Sequence, residues 1–70
     1  MTLHGEIVRL EPALGFGFLR DDTDDDWFFV TAGIRSGRFE DVWIGERVGF
    51  TQEWTAQGPR ATDIHAVSAE

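Results

Sequence analysis

The residues of this 70-residue chain best suited to chemistry are aromatic. Gly15-Phe16-Gly17-Phe18-Leu19 and Trp27-Phe28-Phe29-Val30 are short runs of strand-favouring residues. Side chains alternate across a strand, so Phe16 and Phe18 share one face while Gly17 and Leu19 take the other. In the second run, Phe28 and Val30 share a face, and Trp27 and Phe29 lie opposite. A barrel strand needs one apolar face; this run has two, and little chain remains to cover the second. With three Trp and six Phe in so short a chain, a small core cannot hide every ring. Exposed aromatic patches mark binding surfaces. The chemistry on offer is therefore stacking against a flat ligand, which the glycines beside Phe16 and Phe18 would allow to approach closely. Core packing is the competing role for Phe16, Phe18 and Phe28, and alternation assigns that role to Leu19, Trp27 and Phe29 instead.

Other chemistries find no support. The chain has no cysteine, so disulfides and thiolate metal sites are excluded. His4 and His65 stand at opposite ends, outside any metal-ligand spacing. The run Asp21-Asp22-Thr23-Asp24-Asp25-Asp26 invites a calcium reading. A calcium loop of the helix-loop-helix type needs glycine at its sixth position and glutamate at its twelfth. Counted from Asp22, those positions hold Trp27 and Gly33. A solvated hairpin turn is the better account, since aspartate favours turns. Nothing resembles a nucleophile–base pair with a third partner, and no glycine loop opens a helix to cradle phosphate. No enzyme, metal or cofactor is expected.

The elements that must position the rings are strands. Leu3 to Leu10 is rich in Leu, Ile and Val and is stopped by Pro12. Residues 15–19 and 27–30 form the second and third strands, Arg47 to Thr51 the fourth, and Ala61 to Val67 the fifth. Asp21 to Asp26 joins the second and third, residues 32–45 form the one long connection, and Ala56-Gln57-Gly58-Pro59 joins the last two. No stretch carries helical apolar spacing over two turns. Five short antiparallel strands in one small domain, residues 1–70, predict an all-β closed barrel, because closure removes exposed edges. No apolar run approaches the roughly 20 residues that span a bilayer, and no basic-then-apolar leader is present. A soluble, cytoplasmic domain without membrane contact is expected.

These runs resemble a known family. Gly15-Phe16-Gly17-Phe18-Leu19 is similar to the first ribonucleoprotein motif of bacterial cold-shock proteins, K-G-F/Y-G-F-I, and Asp26-Trp27-Phe28-Phe29-Val30 to the second, D-V-F-V-H. Gly5-Glu6-Ile7 matches the opening G-x-V, and Phe39 falls at the aromatic of the long loop. Gly45-Glu46-Arg47-Val48-Gly49-Phe50 resembles G-Q-x-V-x-F, Gly58-Pro59-Arg60-Ala61 resembles G-P-x-A, and Ile64 matches the closing valine. The resemblance implies a five-stranded OB-type barrel that binds single-stranded RNA or DNA, as an RNA chaperone or cold-shock-type regulator. The resemblance implies Phe16, Phe18 and Phe28 as the stacking platform, with Phe39 a loop contact; Arg9, Val30 and Arg60 complete the expected site. Bases stack on aromatic side chains with little regard to sequence, at about 1–3 kcal/mol per base.

The departures define the expected strength. Where the family reads K-W-F in its first strand, this chain has Val8, Arg9 and Leu10. The lysine before the first motif is Leu14, the histidine ending the second is Val30, and the aromatic after it is Thr31. A guanidinium can stack on a base and reach phosphate, so Arg9 substitutes in part; its competing role is a solvated residue paired with a carboxylate. Phe39 is either a ligand contact or a loop anchor over the barrel end. Arg38 and Arg60 serve surface solubility or phosphate contact, Trp27 and Trp54 are expected to pack, and Trp43 is assigned to neither role. Six Arg, no Lys and thirteen acidic residues give a net charge of −7, so the overall field does not attract phosphate. Weak binding is expected. The alternative is a barrel whose aromatic face meets a protein partner, the chain itself being a monomer or weak dimer.

Overall fold

The computed structural model describes residues 2–67. The chain forms β1 (Leu3–Glu11), β2 (Phe16–Asp21), β3 (Asp26–Val30), two single-turn 3-10 helices at Thr31–Gly33 and Phe39–Asp41, β4 (Arg47–Thr55) and β5 (Gly58–Ala66). The strands close into a barrel in the order β1-β2-β3-β5-β4, with β4 returning to β1. The all-β barrel expected from the pattern is the observed architecture.

One expectation about direction is corrected. Four of the five seams are antiparallel, but β3 and β5 run parallel, meeting at Phe28 and Arg60. An odd number of strands around a closed ring cannot alternate direction at every step, so one parallel seam is unavoidable. The long connection from β3 to β4 makes the crossover that this seam requires.

The interior is filled by Ile7, Leu19, Trp27, Phe29, Ile34, Val42, Val48, Phe50, Ala61 and Ile64. Trp27 and Phe50 pack with centroids 5.7 Å apart. Burying side chains of this size stabilises by about 1.5–3 kcal/mol each, which is how so short a chain offsets its ordering entropy. Gly17 belongs to this inner face. A Cβ there would lie 2.7 Å from the Phe29 ring and 2.7 Å from the Arg9 carbonyl oxygen. The glycine therefore makes room for the core, not for a ligand on the outer face, which corrects the role expected from its position between two rings. Gly15, expected at the start of the second strand, lies outside it. It ends the turn between β1 and β2 at φ +78°, a conformation glycine adopts without strain.

Two further placements differ from expectation. Gly58 and Pro59 belong to β5, leaving Ala56-Gln57 as the whole turn. β4 runs on past β1, which pairs with it only as far as Phe50, so residues 51–55 have β5 as their strand neighbour on one side alone. Trp54 sits on this stretch opposite Pro59 and is 72% exposed, so it does not pack as expected. Val67 lies just beyond β5.

The acidic run is a built hairpin. Asp21 Oδ1 accepts from the Thr23 amide and hydroxyl and from the Asp25 amide, and Oδ2 accepts from the Trp27 indole at 2.8 Å. Partial burial pushes this carboxyl up, but these hydrogen bonds outweigh it and hold the pKa at about 2. Asp24 closes the turn at φ +69°.

Candidate functional site

The outward faces of β2 and β3 bring three rings together. Phe18 stands directly opposite Phe28, and Phe16 opposite Val30. Phe16 and Phe28 stack diagonally at 5.7 Å and 29°. Phe18 meets Phe28 edge-on at 5.7 Å and Phe16 at 6.2 Å. All three rings are partly exposed, while Leu19, Trp27 and Phe29 on the opposite faces are buried. Period-two alternation thus predicts both faces correctly, because β2 and β3 pair without a register shift.

Arginines flank the trio on both sides. Arg9 of β1 pairs with Phe18, and its guanidinium carbon lies 5.7 Å from the Phe16 centroid and 5.9 Å from that of Phe18. Arg60 of β5 pairs with Phe28 and lies 5.5 Å from its centroid. Arg9, Phe18, Phe28 and Arg60 therefore form one rank across four neighbouring strands. These separations are those of cation–π contacts.

A backbone irregularity puts Arg9 there. Gly5 and Ile7 face the interior, so unbroken alternation along β1 would bury the residue at position 9 as well. The register between β1 and β2 instead shifts between Ile7 and Arg9, with Val8 the extra residue. This bulge turns Arg9 outward beside the rings and Leu10 inward against the core.

Of the seven residues expected at the site, five make this contact set and Val30 borders it across from Phe16. Phe39 is drawn elsewhere: its ring stacks on Phe29 at 6.1 Å and 25° and packs against the core, as a loop anchor would. One participant is absent from the expected set. Glu11 sits opposite Phe16 and accepts a hydrogen bond from Arg9 Nε at 3.1 Å. Its spacing of two from Arg9 on one strand is the signal that could have found it.

The charges are arranged more specifically than −7 suggests. Arg9, Arg20, Arg35, Arg38 and Arg47 each contact a carboxylate within 4 Å. Arg60 has no such partner among the described residues. The pairs are well exposed and contribute at most about 1 kcal/mol each. Their effect is on the field: they neutralise most of the cations locally, and among the described residues Arg60 is the arginine without a carboxylate within 4 Å. Leu14, 72% exposed in the turn leading to Phe16, adds aliphatic surface where the resemblance would have placed a lysine.

Among the described residues no helix is long and apolar enough to cross a membrane. No protein-family model matches the chain. A curated relative does: cold shock protein CspC of Bacillus subtilis (strain 168) is 30% identical over 60 residues, covering 86% of this chain and 91% of the relative. With that identity spread over nearly the whole of both proteins, and a closed five-stranded barrel beneath it, the chain belongs to the cold-shock protein family.

Proposed function

We propose that this protein binds single-stranded nucleic acid by stacking bases on Phe16, Phe18 and Phe28, with Arg9 and Arg60 meeting the phosphates that flank them. The observation that carries this reading is the rank of two rings between two guanidiniums on a partly exposed sheet face. Three stacks at about 1–3 kcal/mol each, with little help from the overall field, correspond to dissociation constants between roughly millimolar and micromolar. A weak, sequence-tolerant binder of this kind suits a role in holding RNA open, as an RNA chaperone does. Val30 borders the stacking surface, and Phe39 contributes by anchoring the loop beside the barrel end.

The test is a titration of isotope-labelled protein with short oligothymidine and oligouridine at low salt. Shifts concentrated at residues 16–18, 28 and 60 are expected. Absence of shifts at millimolar oligonucleotide overturns the proposal. One observation favours a second reading, a protein partner on the same face: five of the six arginines already have carboxylate neighbours. Self-association through the rings would then show as concentration-dependent shifts at the same positions without any oligonucleotide.

A further inference from the structure

The rings of the free protein are not bare. Arg9 lies over two of them while Glu11 holds its Nε, and the two side chains are about half exposed, so they exchange freely with solvent. A base that stacks on Phe16 or Phe18 must take the place of the guanidinium. A phosphate that accepts from Arg9 must take the place of Glu11. We propose that Arg9 is a swinging cover leashed by Glu11: it shields Phe16 and Phe18 in the free protein and transfers from the carboxylate to a phosphate oxygen as a base takes the rings. Glu11 acts through Arg9 and is a positioning residue that restrains affinity. This inference rests on the nucleic-acid reading and deepens it.

The geometry supports the exchange in three ways. Arg9, Glu11, Phe16 and Phe18 form a two-by-two block on adjacent strands, Arg9 opposite Phe18 and Glu11 opposite Phe16, so the guanidinium has both partners within reach of one side-chain rotation. The bulge at Val8 sets Arg9 on this face, so the cover depends on a backbone feature that alternation alone would not produce. Arg60, by contrast, covers Phe28 with no carboxylate bonded to it within 4 Å among the described residues, although Glu53 of β4 stands opposite it in register. The two ends of the rank therefore differ: Arg60 is ready for a phosphate at once, and Arg9 must first give up an anion. Swapping one anion for another yields little net electrostatic gain, which limits both affinity and its dependence on salt.

The experiment is a double-mutant cycle with short oligothymidine as probe, in wild type, Glu11→Gln, Arg9→Ala and the double variant. An exposed pair is worth about 0.2–1 kcal/mol, so Glu11→Gln should tighten binding by about 1.4-fold to fivefold. It should also steepen the salt slope by up to about 0.7, the contribution of one phosphate on a single strand. In the Arg9→Ala background the same substitution should change neither quantity. The Arg9 Nε–H resonance, shifted by the ring currents of Phe16 and Phe18 in the free protein, should move on oligothymidine addition. Unchanged affinity for Glu11→Gln, with Phe28→Ala still weakening binding, overturns the leash and leaves the stacking reading intact. Equal tightening in both Arg9 backgrounds also overturns it, since Glu11 would then repel the phosphate directly. Failure of every variant to bind oligothymidine removes both proposals together.

Discussion

Arg60 lies over the ring of Phe28 at 5.5 Å, and the two residues are also the single registered pair of the parallel seam between β3 and β5. The place where the barrel closes is thus the place where its outer face is most decorated. Closing an odd-stranded barrel demands a parallel seam, and this seam sets the Arg60 guanidinium beside the aromatic trio. From that relationship and those around it come the following expectations.

Phe28 touches both other rings of the trio and carries Arg60, so Phe28→Ala removes the centre of the stacking surface. Affinity for oligothymidine should fall about five- to hundredfold, the equivalent of about 1–3 kcal/mol. Two lost ring pairs should cost about 1–3 kcal/mol of stability. The neighbouring Phe29 is fully buried, and Phe29→Ala should cost about 3–5 kcal/mol of stability while leaving the affinity of the folded fraction unchanged. Urea unfolding and fluorescence titration of both variants separate the two faces of β3. Equal losses of affinity would contradict the division.

Salt dependence reports how many phosphates are engaged. With Arg9 and Arg60 the two cations at the face among the described residues, the slope of log K against log salt should be no steeper than about −1.4, two phosphates at about −0.7 each. Arg60→Ala should flatten it by about 0.7. Arg47, held by Asp22 through two bonds of 2.8 and 2.7 Å, should be replaceable by alanine with no change in slope. A slope several times steeper would mean that a basic surface outside this rank engages the ligand.

Acid should unfold the protein in part through Asp21. Its folded-state pKa of about 2 lies below the ordinary value of 3.8, so the unfolded chain takes up the proton first as pH falls. The stability this carboxyl supplies is complete above about pH 4 and disappears as pH drops toward 2. Discounted for solvent screening, it amounts to about 1–2 kcal/mol. Asp22, bonded to Arg47, and Asp63, bonded to Arg35, are also held below the usual carboxylate range and act in the same direction. Asp21→Asn should therefore lower the urea midpoint at pH 7 and flatten only part of its decline between pH 4 and 2. A variant whose pH profile parallels wild type would refute the assignment.

Gly17→Ala should destabilise the barrel by about 1–3 kcal/mol, because the new methyl meets the Phe29 ring and the Arg9 carbonyl at 2.7 Å. Binding by the folded variant should persist, since the outward rings are untouched. Thermal melting paired with titration below the melting temperature checks this. Lost binding at unchanged stability would mean that Gly17 serves the outer face after all.

Much of this molecule is legible in its residues. Strand preference, turn chemistry and period-two alternation suffice to predict five strands, to place Leu19, Trp27 and Phe29 inside, and to turn Phe16, Phe18 and Phe28 outward, because β2 and β3 are short and paired without irregularity. What alternation cannot deliver is anything that depends on a break in the pattern or on distance along the chain. Arg9 reaches the outer face only because one extra residue at Val8 resets the parity of β1, and a bulge leaves no mark in composition. Trp54 is an aromatic like any other in the sequence, and only the length of β4 beyond β1 leaves it exposed. Phe39 turns to Phe29 and not to the outer rings because the long connection folds back over the barrel end. The net charge of −7 likewise follows from counting, whereas the finding that Arg60 lacks a carboxylate within 4 Å among the described residues while five other arginines have one belongs to the packed barrel. Local pattern determines which way a side chain points; which partner it meets is decided when distant strands close.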